Sequence, residues 1–265
     1  MDGSPGALIA VGRSAEVFRY GDDRVVKLFR RGFATSNVEL EAFRASAAVL
    51  AGAPAPAVHG VVTIDGRHGI LFDHVDGESL LDEIALDPMR VASWARQFAD
   101  LHHGVLSTEP SGLPSVLDVM AERIERADVT AQQRASALGV LKAAPGGDSL
   151  LHGDFRPGNV IFASTGAQII DWANACTGPP SADIARTLWL ISVGTPGGDG
   201  ISRRVLSALQ RMFLRGYQRR ITSRSRIDRR VIAAWRLPIV VSRLGEGSEA
   251  EEVALRTELA RLTGA

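Results

Sequence analysis

Two aspartates and an asparagine in the second half of the sequence have the types and spacing that metal binding and proton transfer require. Asp154 and Asn159 lie five positions apart in a polar loop, and Asp171 ends a later apolar segment. Because a β-hairpin would bring these side chains to one end of its strands, they can form an oxygen-rich site. Oxygen ligands suit Mg²⁺, which uses few protein groups and completes its coordination with water and phosphates. One carboxylate then remains to accept a proton.

The sequence around these residues forms a longer motif, with strands predicted on both sides of the loop: His152-Gly153-Asp154-x-x-Pro157-Gly158-Asn159, followed by Ile170-Asp171-Trp172. This motif resembles that of the aminoglycoside phosphotransferase and choline kinase superfamily. Protein kinases have Arg at the position of Gly153 and Phe at the position of Trp172. The resemblance implies that Asp154 is the catalytic base and that Asn159 and Asp171 hold nucleotide-bound Mg²⁺. The alternative is a pair of polar turns with Asp and Asn as ordinary turn residues.

The resemblance also implies a lysine that holds the α- and β-phosphates of ATP or GTP. Lys27 has apolar neighbours in a predicted strand and would take this role, although an edge strand would expose it to water instead. An acidic residue on the next helix would pair with Lys27. Glu41 is preferred over Glu39, because its distance to Pro56 resembles the helix-to-proline spacing of the family.

Backbone groups of two further segments would contact the nucleotide, by the same resemblance. The turn that contains Gly12 and Ser14 would cradle the phosphates with its amides, and an ordinary β-turn is the alternative. The main chain at Asp73 and Val75, close to the predicted joint between the two parts of the chain, would hydrogen-bond the adenine ring.

Several other residues are assigned supporting places. Asp183, in a segment that resembles the Asp-Leu-Ala-Arg of the family, would brace the catalytic loop; the alternative is an ordinary charge at a helix start. His152 would order the loop, and His102 would be structural. Arg156 would contact the γ-phosphate or an acidic group of the substrate, unless it is a surface arginine. Cys176 is the single cysteine, which excludes an internal disulfide, and it has no assigned role.

Apolar periodicity and turn residues predict the elements that must position this site. The first 75 residues indicate short strands around one helix, with hairpin turns at 21–23 and 65–66. Long helical patterns follow, interrupted by the strands around the polar loop. The predicted strands are 7–11, 15–20, 24–29, 58–64, 69–73, 150–162 with its central loop, and 168–171; the predicted helices are 36–50, 80–86, 88–106, 113–127, 130–143, 182–192, 202–221, 229–244 and 249–262.

Together with the resemblance, these elements predict an α+β, bilobal protein-kinase-like fold. Residues 1–75 would form an N-lobe, a small antiparallel sheet with one helix that binds the nucleotide. Residues 76–265 would form a larger, mainly helical C-lobe that carries the catalytic loop and the acceptor site. The chain is long enough for two such lobes and a sizeable core.

Composition and charge favour a soluble protein. Lys plus Arg and Asp plus Glu number 30 each, so the global charge favours neither a nucleic acid nor a membrane surface as partner. The N-terminus, Met1–Pro5, lacks the basic region of a signal peptide, and apolar stretches such as 231–241 are too short to span a bilayer. We therefore expect a cytoplasmic protein, monomeric or dimeric, with no membrane or nucleic-acid partner.

The predicted function is transfer of the γ-phosphoryl group of ATP, or of GTP, to a hydroxyl of a small molecule. The acceptor would be an aminoglycoside-type antibiotic, another natural product, a sugar or an amino alcohol. Twelve arginines and one acid, Asp228, lie between residues 201 and 245, which is a poor environment for a polycationic aminoglycoside. Acidic residues on an earlier helix could serve instead: Asp118, Glu122, Glu125 and Asp128.

Two functions of other classes remain open. A kinase-like regulator would bind nucleotide without transferring phosphate, although the complete set of charged motif residues counts against it. A metal-dependent phosphoesterase built on His152 and Asp154 would need more His and Asp residues at metal-ligand spacings than the sequence contains.

Overall fold

The computed structural model describes residues 5–194, 200–245 and 249–264, and its first part holds five strands and one helix. These are β1 (Leu8–Val11), β2 (Ala15–Tyr20), β3 (Arg24–Phe29), α1 (Thr35–Leu50), β4 (Val58–Ile64) and β5 (Arg67–Asp73). The rest is mainly helical: β6 (Gly77–Ser79), α2 (Leu80–Leu86), α3 (Val91–Val105), α4 (Val116–Arg126), α5 (Ala131–Lys142), β7 (Ser149–Leu151), β8 (Val160–Ala163), β9 (Gly166–Ile169), β10 (Cys176–Gly178), α6 (Pro180–Val193), α7 (Gly200–Ser225), α8 (Arg229–Ala234), α9 (Arg236–Ser242) and α10 (Glu249–Thr263). The predicted α+β fold class is confirmed.

The five-stranded sheet is antiparallel, with the strand order β1-β2-β3-β5-β4. Its hairpins begin where the sequence predicts turns, since Asp65 and Gly66 both have positive φ angles, as a two-residue turn between twisted strands requires. In β3 the alternation of side chains places Val26 and Leu28 in one apolar cluster, while Phe29 packs on the opposite side with residues of α1. Lys27 is two positions from Phe29 and therefore lies on the face that α1 covers.

Residues 152–159, which we call the catalytic loop for their expected role, are held between short strands whose partners come from distant parts of the chain. β7 precedes the loop and pairs with β10, while β8 follows the loop and pairs with both β6 and β9. Within the loop, Phe155 is fully buried, and its ring lies 4.4 Å from that of Phe98 and 4.1 Å from that of His102, both in α3. The loop is thus anchored to the main core of the helical part.

Three details of the predicted elements are wrong. The strands β6 and β10 were not predicted, because each has three residues and exists only through its distant partner. The strand predicted for 168–171 ends at Ile169, so Asp171 lies beyond it. The helix predicted for 229–244 is divided at Trp235, because Pro238 has no N–H to continue the hydrogen bonding and is tolerated only in the first turn of α9.

No helix within the described residues has both the length and the apolar character that crossing a membrane requires. The prediction about a signal peptide depends mostly on Met1–Ser4, and these residues lie outside the described part of the chain.

Candidate active site

The polar loop after β7 brings its aspartate and asparagine into direct contact. Asn159 is buried, and its Nδ2 donates hydrogen bonds to the backbone oxygen of Asp154 at 2.9 Å and to its carboxylate Oδ2 at 3.1 Å. A 3₁₀ turn over Pro157–Asn159 carries the asparagine side chain back towards the start of the loop. Because the Nδ2 of Asn159 is used inside the loop, the Oδ1 of the same amide remains an acceptor for a further ligand.

Asp171 reaches the same place through an unusual backbone conformation. Its φ angle is 65°, in the left-handed region that few residues other than glycine adopt, although aspartate does so more readily than most. The neighbouring Ile170 N–H donates to the backbone oxygen of Asn159 at 2.9 Å, which ties the two segments together. Such a conformation costs about 1 kcal/mol or more and is found mainly where surrounding structure enforces it for a function.

Lys27 connects the sheet to this site. Its Nζ lies 2.6 Å from Glu41 Oε1 and 2.8 Å from Asp171 Oδ1, so one cation bridges two carboxylates that are distant in sequence. Burial opposes the charge on Lys27, but Asp171 and Glu41 outweigh burial and raise its pKa. Glu39 is exposed on another face of α1, so of the two candidate partners Glu41 is the one that contacts the lysine.

The same ion pairs set the charge states of the two acids. Burial opposes ionisation of Asp171, but the charge of Lys27 outweighs burial and lowers the pKa of this carboxyl. Burial raises the pKa of Glu41, and the neighbouring Lys27 offsets this only in part. The lysine cluster, defined as Lys27, Glu41 and Asp171, therefore combines one cation with two acids in a partly buried position.

Asp183 lies in the first turn of α6 and holds the catalytic loop by hydrogen bonds to its backbone. Its carboxylate is buried and accepts hydrogen bonds from the backbone N–H groups of His152 at 2.7 Å and Gly153 at 2.9 Å. His102 Nε2 lies 3.2 Å from the same carboxylate, and His102 Nδ1 lies 2.7 Å from the hydroxyl of Tyr217. Burial opposes the negative charge, but the contact with His102 and the backbone donors lower the pKa of Asp183.

His152 and Gly153 each meet a specific requirement of this loop, His152 through its hydrogen bonds and Gly153 through its backbone conformation. His152 Nδ1 accepts from the backbone N–H of Asp154 at 3.1 Å, and Nε2 donates to the carbonyl of Ile170 at 3.0 Å. Burial lowers the pKa of His152, so the neutral ring with a proton on Nε2 matches both contacts. Gly153 has a φ of 76°, and a Cβ atom there would lie 2.6 Å from the carbonyl oxygen of Asn174. A larger residue does not fit at this position.

Arg156 lies directly beside the candidate base. Its Nε is 3.2 Å from Asp154 Oδ2, while about half of its side chain remains exposed to solvent. Asp154 therefore accepts hydrogen bonds from two different side chains, Asn159 and Arg156, which orient its carboxylate.

The turn between β1 and β2 is held by an arginine that the sequence analysis did not single out. Arg30 Nε donates to the carbonyl of Arg13 at 3.0 Å, and its terminal nitrogen donates to that of Gly12 at 3.2 Å. The backbone N–H of Arg30 also donates to Ser14. Within the described residues no hydrogen bond or ion pair joins Gly12 or Ser14 to the lysine cluster or to Asp154.

Asp73 and Val75, close to the predicted joint between the two parts of the chain, differ in their backbone hydrogen bonds. The N–H of Asp73 donates to the carbonyl of Ala57 at 3.0 Å, and its carboxylate lies 2.5 Å from His59 Nε2. The N–H of Val75 has no hydrogen-bond partner within the part of the chain that the structure describes. A ligand could therefore use the N–H of Val75, whereas that of Asp73 is already engaged.

The oxygen atoms at this site fit a magnesium ion that accompanies a nucleotide. Among the described residues, no group of three or more His, Cys, Asp and Glu side chains could hold a metal by itself. Asn159 and Asp171 supply an amide and a carboxylate oxygen close to Asp154. Two protein ligands with phosphates completing the coordination is the arrangement that Mg²⁺ prefers.

A second group of charged residues beside the loop was missed by the sequence analysis. Arg44 in α1, Arg123 in α4 and Arg186 in α6 line a cavity of about 40 Å³ together with Gly153 and Asn174. Arg186 Nε donates to the carbonyl of Gly153, and Arg44 donates to that of Ala173 at 2.5 Å. These arginines are far apart in sequence, so only the packing of three helices shows that they form a cluster.

Cys176 also lines this cavity, and its thiol is a poor nucleophile. Burial raises the pKa of its thiol to about 12, so the thiolate is not formed at neutral pH.

Three of the four acidic residues named on and after the earlier helix have arginine partners. Glu122 pairs with Arg126, and Glu125 lies 3.8 Å from Arg134. Asp128 lies 3.3 Å from a further arginine of α10. These acids are therefore partly neutralised within the chain and form a weak site for a polycation.

The chain is similar in sequence to a known family and in fold to several solved structures. A model of the APH family, described as the phosphotransferase enzyme family, matches residues 6–221. A thermostable mutant of aminoglycoside phosphotransferase APH(4)-Ia, in ternary complex with AMP-PNP and hygromycin B, has a TM-score of 0.66 at 15% identity, covering 99% of this chain and 94% of that one. A search of curated proteins found no match.

Two further solved structures extend the likeness. APH(3'')-Id from Streptomyces rimosus, in complex with ADP and streptomycin, has a TM-score of 0.57 at 20% identity and covers 92% of this chain and 95% of that one. A choline/ethanolamine kinase family protein from Mesorhizobium loti has a TM-score of 0.58 at 16% identity, with coverages of 98% and 89%. At such identities the structures show the fold, which is the predicted kinase-like one.

Proposed function

The chain belongs to the APH phosphotransferase enzyme family and is a small-molecule phosphotransferase, and we propose that it moves the γ-phosphoryl group of ATP, or of GTP, to a hydroxyl of its acceptor. The observation that carries this proposal is the meeting of Lys27, from the sheet, with Asp171, beside the catalytic loop. This contact brings a phosphate-binding cation next to a carboxylate suited to Mg²⁺. Asp154, hydrogen-bonded to Asn159 in the same loop, would then be available as the base that accepts the proton.

The nucleotide would lie between the sheet and the catalytic loop. Lys27, oriented by Glu41, binds the α- and β-phosphates in this proposal, and the amides around Gly12 and Ser14 cover them. Asn159 and Asp171 would hold the Mg²⁺ of the nucleotide, whose charge offsets that of the phosphates. The adenine ring would lie against the segment that contains Asp73 and Val75. There the N–H of Val75 is a donor without a partner in the described chain, and Asp73 can offer its backbone carbonyl.

The transfer step moves one proton and one phosphoryl group. Asp154 accepts the proton of the acceptor hydroxyl as the hydroxyl oxygen forms a bond to the γ-phosphorus. The bond from the γ-phosphorus to the bridging β–γ oxygen breaks, and the nucleoside diphosphate leaves with the electron pair. The hydrogen bonds from Asn159 and Arg156 orient the Asp154 carboxylate for this step. Catalysis then consists mainly of positioning and charge stabilisation.

The acceptor class follows from the family only in its general form, a small molecule with a hydroxyl. We infer that an uncharged or anionic compound, such as a sugar or another natural product, suits the site better than an aminoglycoside. The reason is that the acids Glu122 and Glu125 already pair with arginines. A cytoplasmic location, where nucleoside triphosphates are abundant, accompanies this proposal.

The proposal is tested by a screen of acceptors with Mg·ATP and with Mg·GTP. Aminoglycosides, other antibiotics, sugars, hydroxy acids and amino alcohols are added one by one, and acceptor-dependent release of ADP or GDP is measured. We expect release with at least one acceptor class, and release at least about 10²-fold slower with the same protein carrying Asp154→Asn. A nucleotide-dependent rise in melting temperature with no turnover of any acceptor would favour a regulator instead. Hydrolysis of simple phosphate esters without nucleotide would favour a phosphoesterase.

A further inference from the structure

The backbone around Asp171 is tied on both sides to the first part of the chain. The N–H of Ile169 donates to the carbonyl of Pro54, in the segment between α1 and β4, at 2.6 Å. Four residues later, a terminal nitrogen of Arg44, in α1, donates to the carbonyl of Ala173 at 2.5 Å. Asp171 lies midway between these two hydrogen bonds. The helix α1 and the segment that follows it therefore restrain the backbone before and after this residue.

The conformation of Asp171 depends on such restraints. Its φ angle of 65° lies in the left-handed region, which costs free energy for any residue other than glycine and persists only where the surrounding structure enforces it. If the backbone relaxed to a more common conformation, the direction of the carboxylate would change with it. The bond to Pro54 joins two backbone groups, whereas the bond to Ala173 comes from the side chain of Arg44 and can be removed by one substitution.

The helix α1 also reaches Asp171 by a second route, through charged side chains. Glu41 lies three positions before Arg44 and pairs with Lys27, whose Nζ is 2.8 Å from Asp171 Oδ1. In the proposed reaction ligands compete for this route, since Lys27 would bind phosphates and Asp171 would bind Mg²⁺. The route through Arg44 ends on a backbone carbonyl that the proposed site does not use. It can therefore stay in place when the nucleotide binds.

We propose that Arg44 is a positioning residue for the carboxylate of Asp171. Its hydrogen bond to Ala173 holds the backbone conformation in which this carboxylate points towards the Mg²⁺ of the nucleotide. Arg44 acts only through the backbone, and groups that orient a metal ligand in this indirect way commonly contribute about 10–100-fold to metal affinity. The inference rests on the proposed function and adds a residue that links α1 to the metal-binding segment.

The first experiment separates metal binding from nucleotide binding without turnover. Titration calorimetry measures the dissociation constant of ADP once in EDTA and once in excess Mg²⁺, and the ratio of the two constants is the gain in affinity that the metal supplies. For Arg44→Met we expect this gain to fall about 10-fold, with the affinity for ADP in EDTA unchanged. An equal loss of affinity in EDTA and in Mg²⁺ would show general damage to the nucleotide site and would overturn the proposal.

Two further variants distinguish positioning from the loss of any arginine. Arg134 in α5 likewise donates to backbone carbonyls, those of Glu125 and Ala127, so Arg134→Met should keep the full gain from Mg²⁺. Arg44→Lys keeps a charged donor and should restore part of the gain, although an ammonium group lacks the planar fork of the guanidinium. A gain equally reduced in Arg44→Met and Arg134→Met, or no recovery in Arg44→Lys, would contradict the role of Arg44.

Kinetics with an acceptor give a second readout. In Arg44→Met the Mg²⁺ concentration for half-maximal rate at fixed ATP should rise about 10-fold, while kcat at saturating Mg²⁺ stays close to that of the unmodified protein. A fall in kcat that saturating Mg²⁺ does not reverse would place the effect of Arg44 elsewhere in the site and would count against the proposal.

This inference and the proposed function can fail separately. If no acceptor is phosphorylated, the transfer reaction fails, while the calorimetric comparison still tests Arg44. If Mg²⁺ gives no gain in the unmodified protein, the metal-binding role of Asn159 and Asp171 fails, and the role of Arg44 fails with it. If the gain is present and Arg44→Met leaves it unchanged, the proposed function stands and only the role of Arg44 is overturned.

Discussion

Two charged clusters lie beside the catalytic loop, and they differ in the partners that hold their charged groups. In the lysine cluster one cation lies within 2.8 Å of each of two carboxylates, Glu41 and Asp171. The second cluster is formed by Arg44, Arg123 and Arg186, which line a small cavity together with Asp183. The first cluster joins opposite charges in direct contact, whereas in the second the guanidinium groups of Arg44 and Arg186 donate to backbone carbonyls.

This difference indicates which part of the site is preformed. Opposite charges held at hydrogen-bond distance keep each other in place before any ligand arrives, which is the condition for rapid electrostatic catalysis. The hydrogen bonds of Arg44 to Ala173 and of Arg186 to Gly153 instead join α1 and α6 to the loop and to the segment after Asp171. We therefore expect the lysine cluster to act in charge stabilisation and these arginines to hold the loop in position.

The largest effect is expected from removing the central cation of the lysine cluster. Lys27→Met leaves Glu41 and Asp171 facing each other without a counter-charge, and it removes the proposed phosphate contact. Steady-state kinetics should show kcat/KM for the nucleotide reduced about 10²–10³-fold, the scale for loss of one electrostatic contact in an active site. The matched control is Lys142→Met, at the exposed end of α5, which should have ordinary kinetics. Equal kinetics of the two variants would contradict the assignment.

The next effect concerns Asp183, the carboxylate that holds the loop by hydrogen bonds to its backbone. Asp183→Asn replaces a charged acceptor of two backbone N–H groups, so buried donors lose their partners. Urea unfolding should show a free energy of unfolding lower by about 2–4 kcal/mol. Asp128→Asn, at an almost fully exposed position, should change stability by less than about 0.5 kcal/mol. A small and equal change in both variants would mean that the loop does not depend on Asp183.

A smaller effect distinguishes the two glutamates of α1. Glu41→Gln keeps a hydrogen bond to Lys27 but removes the negative charge, so kcat/KM should fall about 10-fold. Glu39→Gln changes an exposed side chain and should leave kcat/KM unaltered. The reverse result would move the lysine partner to Glu39 and break the description of the lysine cluster.

The smallest effect is a change in the acid stability of the protein. The pKa of Asp183 is lower in the folded protein than the value of about 3.9 expected after unfolding, so its ionised form stabilises the fold above that pH. This stabilisation is lost as the pH falls through the folded pKa. Melting curves below about pH 4 should therefore fall less steeply for Asp183→Asn than for the unmodified protein. Parallel slopes would show that Asp183 does not titrate in this window.

Much of the lysine cluster and of the catalytic loop could be predicted from sequence, because their residues occur in motifs with fixed spacing. The five-residue step from Asp154 to Asn159 is closed within one loop, and local turn residues such as Asp65-Gly66 define the hairpins of the sheet. The choice between Glu39 and Glu41 needed the structure, since the two lie on different faces of one helix. The roles of these residues and the lobe boundary at 75–76 stay predictions.

The cavity lined by three arginines could not be predicted, for a physical reason. Arg44, Arg123 and Arg186 belong to helices that are separated by about 60 residues or more, and each one alone is an ordinary partly exposed arginine. No periodicity within a helix indicates which face will meet two other helices. The short strand β10 was missed for the same reason, because its pairing with β7 is a contact between distant segments.

The central claim is that Asp154 is the base for phosphoryl transfer, and one measurement tests it most directly. Transfer of the labelled γ-phosphoryl group to the best acceptor of the screen is followed in a single turnover, with the unmodified protein and with Asp154→Asn. We predict that the variant binds Mg·ATP with unchanged affinity and transfers at least about 10²-fold more slowly, the usual scale for loss of a general base. Transfer at a near-normal rate by Asp154→Asn would contradict the account.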